Sequence, residues 1–490
     1  MSVFRLLLSG ILIAGIAGST IRRSTAETPT PASLTTGDSR PNILFIMSDD
    51  HAAHAISAYG SQVNQTPNID RLAKEGILFR NCFCTNSLCG PSRAVIMTGK
   101  HSHINGFTDN KSRFDNSQPT VAGYLHDAGY ETVMIGKWHL VSEPTGFDYW
   151  NILPGQGAYF DPTFIEMGRR YQIPGYVTDI ITEMTLDYLE HRWDRSKPFF
   201  MMCHHKAPHR SWLPHPEWDR VPDERLPVPE SFFDDGSGRG RPALEQKLSC
   251  AEDLKPFDLK RDPPEGLDAR EMAIWKYQRY MNDYLRCVAS VDKSVGRILD
   301  WLDSTGLADH TVVFYCGDNG FFLGDHGWFD KRFMYEESLR IPLLIRWPRG
   351  IRAGIENTDL VQNLDFAETF LDLAGHPIPG DMQGRSLSPF FQGDTPQSRE
   401  NRRTSIYYRY YEFPDEHYTY PHYGIRTATD KLIFFPTLDP ENPQEGWEYY
   451  DLTKDPDEYT NTYRDPANTE RIAQLRKELG RLREKYGDTN

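Results

Sequence analysis

Four short stretches of this 490-residue chain place ionisable side chains where apolar runs stop. Asp49 and Asp50 follow the run 41–47. Lys137 and His139 follow 131–135, His204 to His209 follow 198–203, and Asp318 and Asn319 follow 311–316. Asp49, Asp50, Asp318 and Asn319 make an all-oxygen ligand set, which hard divalent cations such as Ca²⁺ or Mg²⁺ prefer. One Asp-Asp pair alone is usually a solvated turn. A second pair, Asp318-Asn319, placed the same way after another apolar run, favours the cation. Lys137, His139, His205, His209 and Lys331 add cations and proton carriers from separate loops. A tetrahedral anion needs such a cage, because burying its charge unpaired is prohibitive. His139 and His209 also titrate near neutrality, as acid–base work requires.

Cys89-Gly90-Pro91-Ser92-Arg93, running into Ala94-Val95-Ile96-Met97-Thr98-Gly99, adds a nucleophile. Pro91 suits the first turn of a helix, which puts Cys89 at a helix N-terminus. There the free N–H groups and the positive end of the dipole suit an oxyanion. Arg93, one turn in, supplies a planar donor. Gly90 permits close approach of ligand and backbone. A cysteine met alone is more often a buried structural thiol, and Cys82 and Cys84 fit that description.

The four apolar runs are short and continuous, as strands buried on both faces of a parallel sheet are. Helical patterns lie between them. Residues 66–75 carry Ile69 and Leu72 after a Thr66-Pro67 start. Residues 178–193 repeat Ile181, Met184, Leu186 and Leu189, and 273–302 repeat Met281, Leu285, Val288, Val291, Val295 and Ile298. The alternation predicts an α/β fold with a largely parallel central sheet flanked by helices. Ligands of such sheets bind beyond the carboxyl ends of the strands, so all four polar clusters fall on one rim. From about residue 379 the pattern changes to short antiparallel strands at 407–411, 423–427, 431–435 and 447–452. An amphipathic helix over 468–486 follows, with Ile472, Leu475, Leu479, Leu482 and Tyr486 on one face. The expected organisation is a domain over 41–378 that carries the site and a smaller C-terminal α+β subdomain over 379–490. Residues 233–270, rich in Gly, Pro and charge, read as a surface excursion.

Lys and Arg number 54 against 69 Asp and Glu, a net charge of −15. That field excludes nucleic-acid binding by overall charge, and any anion site must build its own local positive potential. Arg5, the apolar run 6–17 and Ser24-Thr25-Ala26 read as a secretory signal over 1–26. A disordered leader rich in Pro, Thr and Ser follows over 27–40. The run falls short of the ~20 residues that span a bilayer. A secreted or periplasmic protein with no transmembrane anchor after cleavage is expected, an uncleaved anchor being the competing reading. Seven cysteines with no CxxC pair are too sparse for a disulfide scaffold and offer no thiolate zinc site. Buried free thiols, with at most one bridge, are expected.

Together these motifs resemble the type I, formylglycine-dependent sulfatases of the alkaline-phosphatase-like superfamily. The resemblance runs from Pro41 to about Pro348, through Gly136-Lys137-Trp138-His139, Lys206-Ala207-Pro208-His209, Gly317-Asp318-Asn319-Gly320 and Lys331 with Tyr335-Glu336. It continues more weakly through Glu448-Tyr449-Tyr450-Asp451-Leu452, Asp455-Pro456 and Glu458. It implies that a formylglycine-generating maturation enzyme oxidises Cys89 to an aldehyde. It also implies that Asp49, Asp50, Asp318 and Asn319 hold one Ca²⁺, with Mg²⁺ as the alternative, in contact with the group at position 89. By the same resemblance a hydroxyl of the aldehyde hydrate attacks sulfur, His209 donates to the leaving alcohol, and His139 strips the second hydroxyl to expel sulfate. Arg93, Lys137 and Lys331 neutralise charge around them. His205 either orients its loop or reaches substrate, His326 supports the site, and His51 and His204 have no assigned role.

Tyr159, Phe160, His209, Arg210, Trp212 and Tyr408 are expected to form a carbohydrate cleft, with aromatic faces on sugar rings and Arg on further sulfates. The loops resemble bacterial carbohydrate sulfatases of the N-acetylglucosamine-6-sulfatase, iduronate-2-sulfatase and arylsulfatase-like kinds. The expected substrate is a sulfated carbohydrate: a glycosaminoglycan, a mucin glycan or an algal polysaccharide. One alternative is a phosphonate or phosphate ester hydrolase on the same scaffold, although phosphatases of the superfamily need more Asp and His ligands than these loops supply. The other is a non-catalytic secreted glycan-binding protein, against which the full set of nucleophile, ligands and acid–base residues argues.

Overall fold

The computed structural model describes residues 40–219, 223–438 and 446–489. The signal sequence expected over 1–26 and all but the last residue of the expected leader lie outside the described residues. The strand Asn42–Ser48 is buried along its whole length. Its side chains alternate between two apolar clusters: Leu44 and Ile46 enter one, Ile43, Phe45 and Met47 the other. That is the period-two consequence of a strand covered on both faces. It pairs in parallel with Phe199–His204 on one side and Thr311–Gly317 on the other. Glu131–Lys137 and then Tyr149–Leu153 continue the parallel set. These five strands are the centre of a ten-stranded sheet. Toward the edges, Leu343–Arg346 runs antiparallel to Thr311–Gly317, and Thr163–Glu166 antiparallel to Tyr149–Leu153. The sheet is therefore mixed, and it is parallel where the four polar clusters emerge.

Helices Pro67–Glu75, Val177–His191 and Ala269–Ser304 cover one face, burying Ile69, Ile181, Val291 and Val295 against Leu44 and Ile46. The longest starts at a reciprocal cap: Asp268 accepts from Glu271 N–H, and Glu271 accepts from Asp268 N–H. Cys89–Thr98 and Phe366–Leu373 cover the other face, with Ile96, Phe366 and Phe370 against Phe45 and Met47.

Near the C-terminus, Ser405–Tyr410, His422–Thr427, Asp430–Phe434 and Trp447–Asp451 form an antiparallel sheet in chain order. The helix Thr469–Tyr486 buries Leu475, Leu479 and Leu482 in a cluster shared with Tyr407, Ile425 and Leu432, and with Val95 of Cys89–Thr98. Charge also joins this sheet to the loop after Lys331. Lys431, fully buried, meets Glu336 at 3.0 Å and Glu458 at 2.7 Å. Tyr335 Oη donates to Glu448 at 2.8 Å. Glu448 and Glu458 of the C-terminal motif thus brace Tyr335-Glu336.

The described residues belong to one compact unit, and no helix among them is long and apolar enough to cross a membrane. All seven cysteines are buried free thiols, so no bridge forms among them. Burial alone therefore does not set Cys89 apart. The segment 233–270 is largely the surface excursion its composition suggests, exposed throughout 261–266, but it is pinned to the body of the protein by the fully buried Leu248, Cys250 and Asp258.

Candidate active site

Cys89 is the first residue of the helix Cys89–Thr98, after Leu88 in extended conformation. Pro91 falls in the first turn, where its missing N–H costs no hydrogen bond. Gly90 is demanded by the protein rather than by a ligand. A Cβ there would lie 2.7 Å from Phe107 and 2.8 Å from Asn110 Oδ1, which accepts from Gly90 N–H at 3.0 Å. Cys89 Sγ sits 3.8 Å from Asp50 Oδ1 and 3.3 Å from Lys331 Nζ.

Asp49 and Asp50 leave the strand Asn42–Ser48 fully buried. Asp50 N–H donates to Asp318 Oδ1 at 3.0 Å, and Asn319 Nδ2 donates to Asp50 Oδ1 at 2.8 Å. Two neighbouring strand ends are thereby stitched together. Asp49, Asp50, Cys89 and His209 each offer a ligand atom within 4.8 Å of the others. Asp49 Oδ1, Asp50 Oδ2 and Asn319 Oδ1 are buried acceptors with no hydrogen-bond partner. Leaving such oxygens unmatched is costly. Burial, and then Asp318 and Asp330, hold the Asp50 carboxyl above its ordinary range even beside Lys331. The donor set fits a hard divalent cation, which would satisfy these atoms and relieve that repulsion. Asp318 is more heavily engaged: Oδ1 accepts from the Asp50 and Asn319 N–H groups, and Oδ2 faces Arg93. His209, which the sequence reading kept outside the ligand set, falls within it by distance.

Arg93 Nη1 donates to the Lys137 carbonyl. Lys137 is delivered by Gly136 at φ 103°, where a Cβ would strike the His204 carbonyl at 2.0 Å. Its Nζ reaches the side chains of Asp49 and Gln156. Lys331 Nζ reaches the Asp50 carboxylate; burial opposes its charge most strongly, but Asp50, Cys89 and Asp330 together outweigh burial and keep the ammonium protonated. Burial, reinforced by Lys137 and Arg93, lowers the pKa of His139 well below the usual imidazole range, so it stands as a neutral base. His209 Nδ1–H donates to the Arg210 carbonyl at 2.6 Å, which turns Nε2 toward Asp50 Oδ2 at 3.8 Å. Burial, then Lys137 and Lys206, lowers its pKa as well. Asp50, His139, Asp330 and Arg332 all hold left-handed φ angles of 61°, 58°, 74° and 102°. Strain of this kind persists where surrounding contacts over-determine the backbone, as at active sites.

The other histidines are anchored elsewhere. His205, fully buried, bonds Ser294 Oγ on the long helix through Nε2 at 3.1 Å, which ties its loop to that helix. His204 Nδ1 bonds the Lys137 carbonyl, His51 bonds Tyr315 Oη, and His326 lies between Asp234 and Arg239.

Cys89, Lys331 and His209 open onto a cavity of about 350 Å³. Most of the aromatic cleft expected from sequence is not its lining. Trp212 and Tyr408 are fully buried and Tyr159 nearly so. Tyr408 Oη donates to the Arg332 carbonyl and Tyr159 Oη to the His209 carbonyl, so both brace the wall from behind. Arg210 is already neutralised by Asp258, at 2.7 and 2.6 Å, and by Glu416 at 3.3 Å. It is not free for a further sulfate. Gln156, Phe257, Asp330, Arg332, Glu412 and Asp415 also line the cavity and escaped the sequence reading. Only Asp330 and Arg332, flanking Lys331, carried a local signal.

Residues 41–376 match the Sulfatase family, and residues 324–485 match the family described as N-sulphoglucosamine sulphohydrolase, C-terminal. The chain is 45% identical to an N-acetylglucosamine-6-O-sulfatase of Bacteroides thetaiotaomicron, over 92% of this chain and 88% of that protein. It is 28% identical to an arylsulfatase of Clostridium perfringens, over 92% and 97% respectively. A solved structure of a protein in complex with its substrate D-glucosamine-2-N,6-O-disulfate matches with a TM-score of 0.86 and 45% identity, over 92% of this chain and 99% of that one. Fold and site define a sulfuric ester hydrolase. The chain belongs to the sulfatase family.

Proposed function

We propose that this protein removes the 6-O-sulfate from glucosamine or N-acetylglucosamine residues of glycosaminoglycans. The observation that carries the reading is Cys89, 3.3 Å from Lys331 Nζ and 3.8 Å from Asp50 Oδ1, in a chain 45% identical over 92% of its length to an N-acetylglucosamine-6-O-sulfatase. Burial pushes the Cys89 thiol well above its ordinary range even beside Lys331, so an unmodified Cys89 stays protonated and inert near neutrality. Oxidised to formylglycine by a maturation enzyme, position 89 would supply a hydrated aldehyde whose hydroxyl accepts the sulfo group. Asp49, Asp50, Asp318 and Asn319 would hold Ca²⁺, or alternatively Mg²⁺, which supplies positive charge beside the nucleophile. Arg93, Lys137 and Lys331 neutralise the sulfate oxygens from fixed positions, which avoids reorganisation during the reaction. His209, with Nδ1–H committed to Arg210, donates to the leaving alcohol when Nε2 is protonated. His139, neutral, accepts the proton whose removal releases sulfate. A signal sequence over 1–26, a secreted or periplasmic location and a domain boundary near 378 belong to the same proposal.

Sulfate release from N-acetylglucosamine 6-sulfate, compared between the unsubstituted protein and Cys89→Ala, tests this. The active protein should yield a Cys89 peptide about 18 Da lighter than the thiol form, with sulfur and two hydrogens exchanged for one oxygen. Full activity in Cys89→Ala, or in protein carrying only the thiol, would overturn the mechanism.

A further inference from the structure

Among the described residues the cavity has one carbocyclic aromatic side chain in its wall, Phe257, and that residue is 57% exposed. An exposed phenylalanine on a loose loop needs no explanation. This one is held on three sides. It lies on the short helix Pro256–Leu259. Its neighbour Asp258, fully buried, takes Arg210 Nε and Nη2 at 2.7 and 2.6 Å and the Lys255 N–H at 2.8 Å. Leu259 on its other side enters the core. The Arg210 guanidinium lies 5.0 Å from the centre of the Phe257 ring, within cation–π range. Arg210 in turn carries the carbonyl that receives His209 Nδ1–H at 2.6 Å. The ring is therefore fixed relative to the histidine that faces the leaving alcohol.

We infer that Phe257 is a specificity-determining residue: its exposed ring is the surface on which the pyranose bearing the scissile sulfate packs. The inference rests on the reading of His209 as donor to a sugar alcohol. That role puts the sugar beside His209, and the wall there offers a neutral contact, since Asp258 and Glu416 already neutralise Arg210. A pyranose has C–H faces that pack on an aromatic ring while its hydroxyls stay at the polar rim. Burying the exposed part of Phe257 under the sugar adds the apolar contribution that the charged groups lack.

The test is steady-state kinetics of Phe257→Ala and Phe257→Trp with N-acetylglucosamine 6-sulfate, alongside competitive inhibition by inorganic sulfate, which has no ring to pack. Phe257→Ala should raise KM about tenfold, the size of one lost aromatic contact. It should leave kcat within about twofold, as loss of uniform binding does. Inhibition by sulfate should not change, and Phe257→Trp should restore KM. An unchanged KM in Phe257→Ala overturns the inference. So does an equal weakening of sulfate inhibition, which would report a displaced His209 loop. If the unsubstituted protein releases no sulfate from the sugar, the proposed function falls first, and this inference with it.

Discussion

Arg93 and Asp318 grip each other in the floor of the site, with Arg93 Nε 3.0 Å and Nη2 2.9 Å from Asp318 Oδ2. Both are buried, and they belong to different elements. Arg93 comes from the first turns of the helix Cys89–Thr98, and Asp318 from the end of the strand Thr311–Gly317. Because Nη1 also holds the Lys137 carbonyl, one guanidinium joins the helix that begins at Cys89 to two of the four strand ends.

Removing that guanidinium leaves Asp318 buried and unmatched. Loss of one partner from a buried ion pair costs about 3–5 kcal/mol. Arg93→Ala should therefore lower Tm sharply, while Arg93→Lys keeps a charge but loses the fork and should lower Tm less. Both should reduce kcat/KM by on the order of 100-fold or more, the scale of a lost preorganised donor. Thermal unfolding and sulfate-release kinetics on the two variants check this. An unaltered Tm in Arg93→Ala would show that the pair does not hold the floor together.

Asp49 Oδ1, Asp50 Oδ2 and Asn319 Oδ1 predict what chelation does. A ligand that binds only the folded state stabilises it by about 2.7 kcal/mol at one hundred times its Kd. EDTA should lower Tm and stop sulfate release together, and added Ca²⁺ should return both. Asp50→Asn should melt at nearly the same temperature with and without EDTA. Wild-type protein whose Tm and activity ignore EDTA would remove the cation from the site.

The strand ends were legible because each side chain follows its own apolar run: local sequence encodes both the strand and what stands at its tip. Asp49, Lys137, His209 and Asp318 needed nothing more. The antiparallel edge of the sheet was not legible, since Ile77–Phe79 and Leu343–Arg346 are too short to show a period. Trp212 was misread for a different reason. It stands three residues beyond His209, but closeness in sequence does not say which way a loop residue points, and its ring packs on Tyr280 at 4.6 Å between centroids. Phe257, Glu412 and Asp415 meet Cys89 only because distant segments fold onto one cavity. No local pattern records that meeting.

Glu368 separates a pH effect on the fold from any effect on the chemistry. It lies fully buried on the helix Phe366–Leu373, where Gly384 N–H donates to Oε1 at 2.5 Å and Oε2 has no partner. Burial, and then Asp365, raise its pKa from an ordinary 4.5 to about 8, with backbone N–H donors, Gly384 among them, and then Arg403 opposing them. The folded state thus holds a proton that the unfolded chain releases at lower pH. The resulting stability is fully present below about pH 4.5, declines as pH rises, and is lost once pH passes the folded value near 8. Glu368→Gln keeps the acceptor for Gly384 and cannot ionise. Variant and wild type should melt alike near about pH 5, and the variant should melt higher near about pH 9. Thermal unfolding across that range checks the sign. A difference that stays constant from acid to base would mean that Glu368 titrates alike in the folded and unfolded chain.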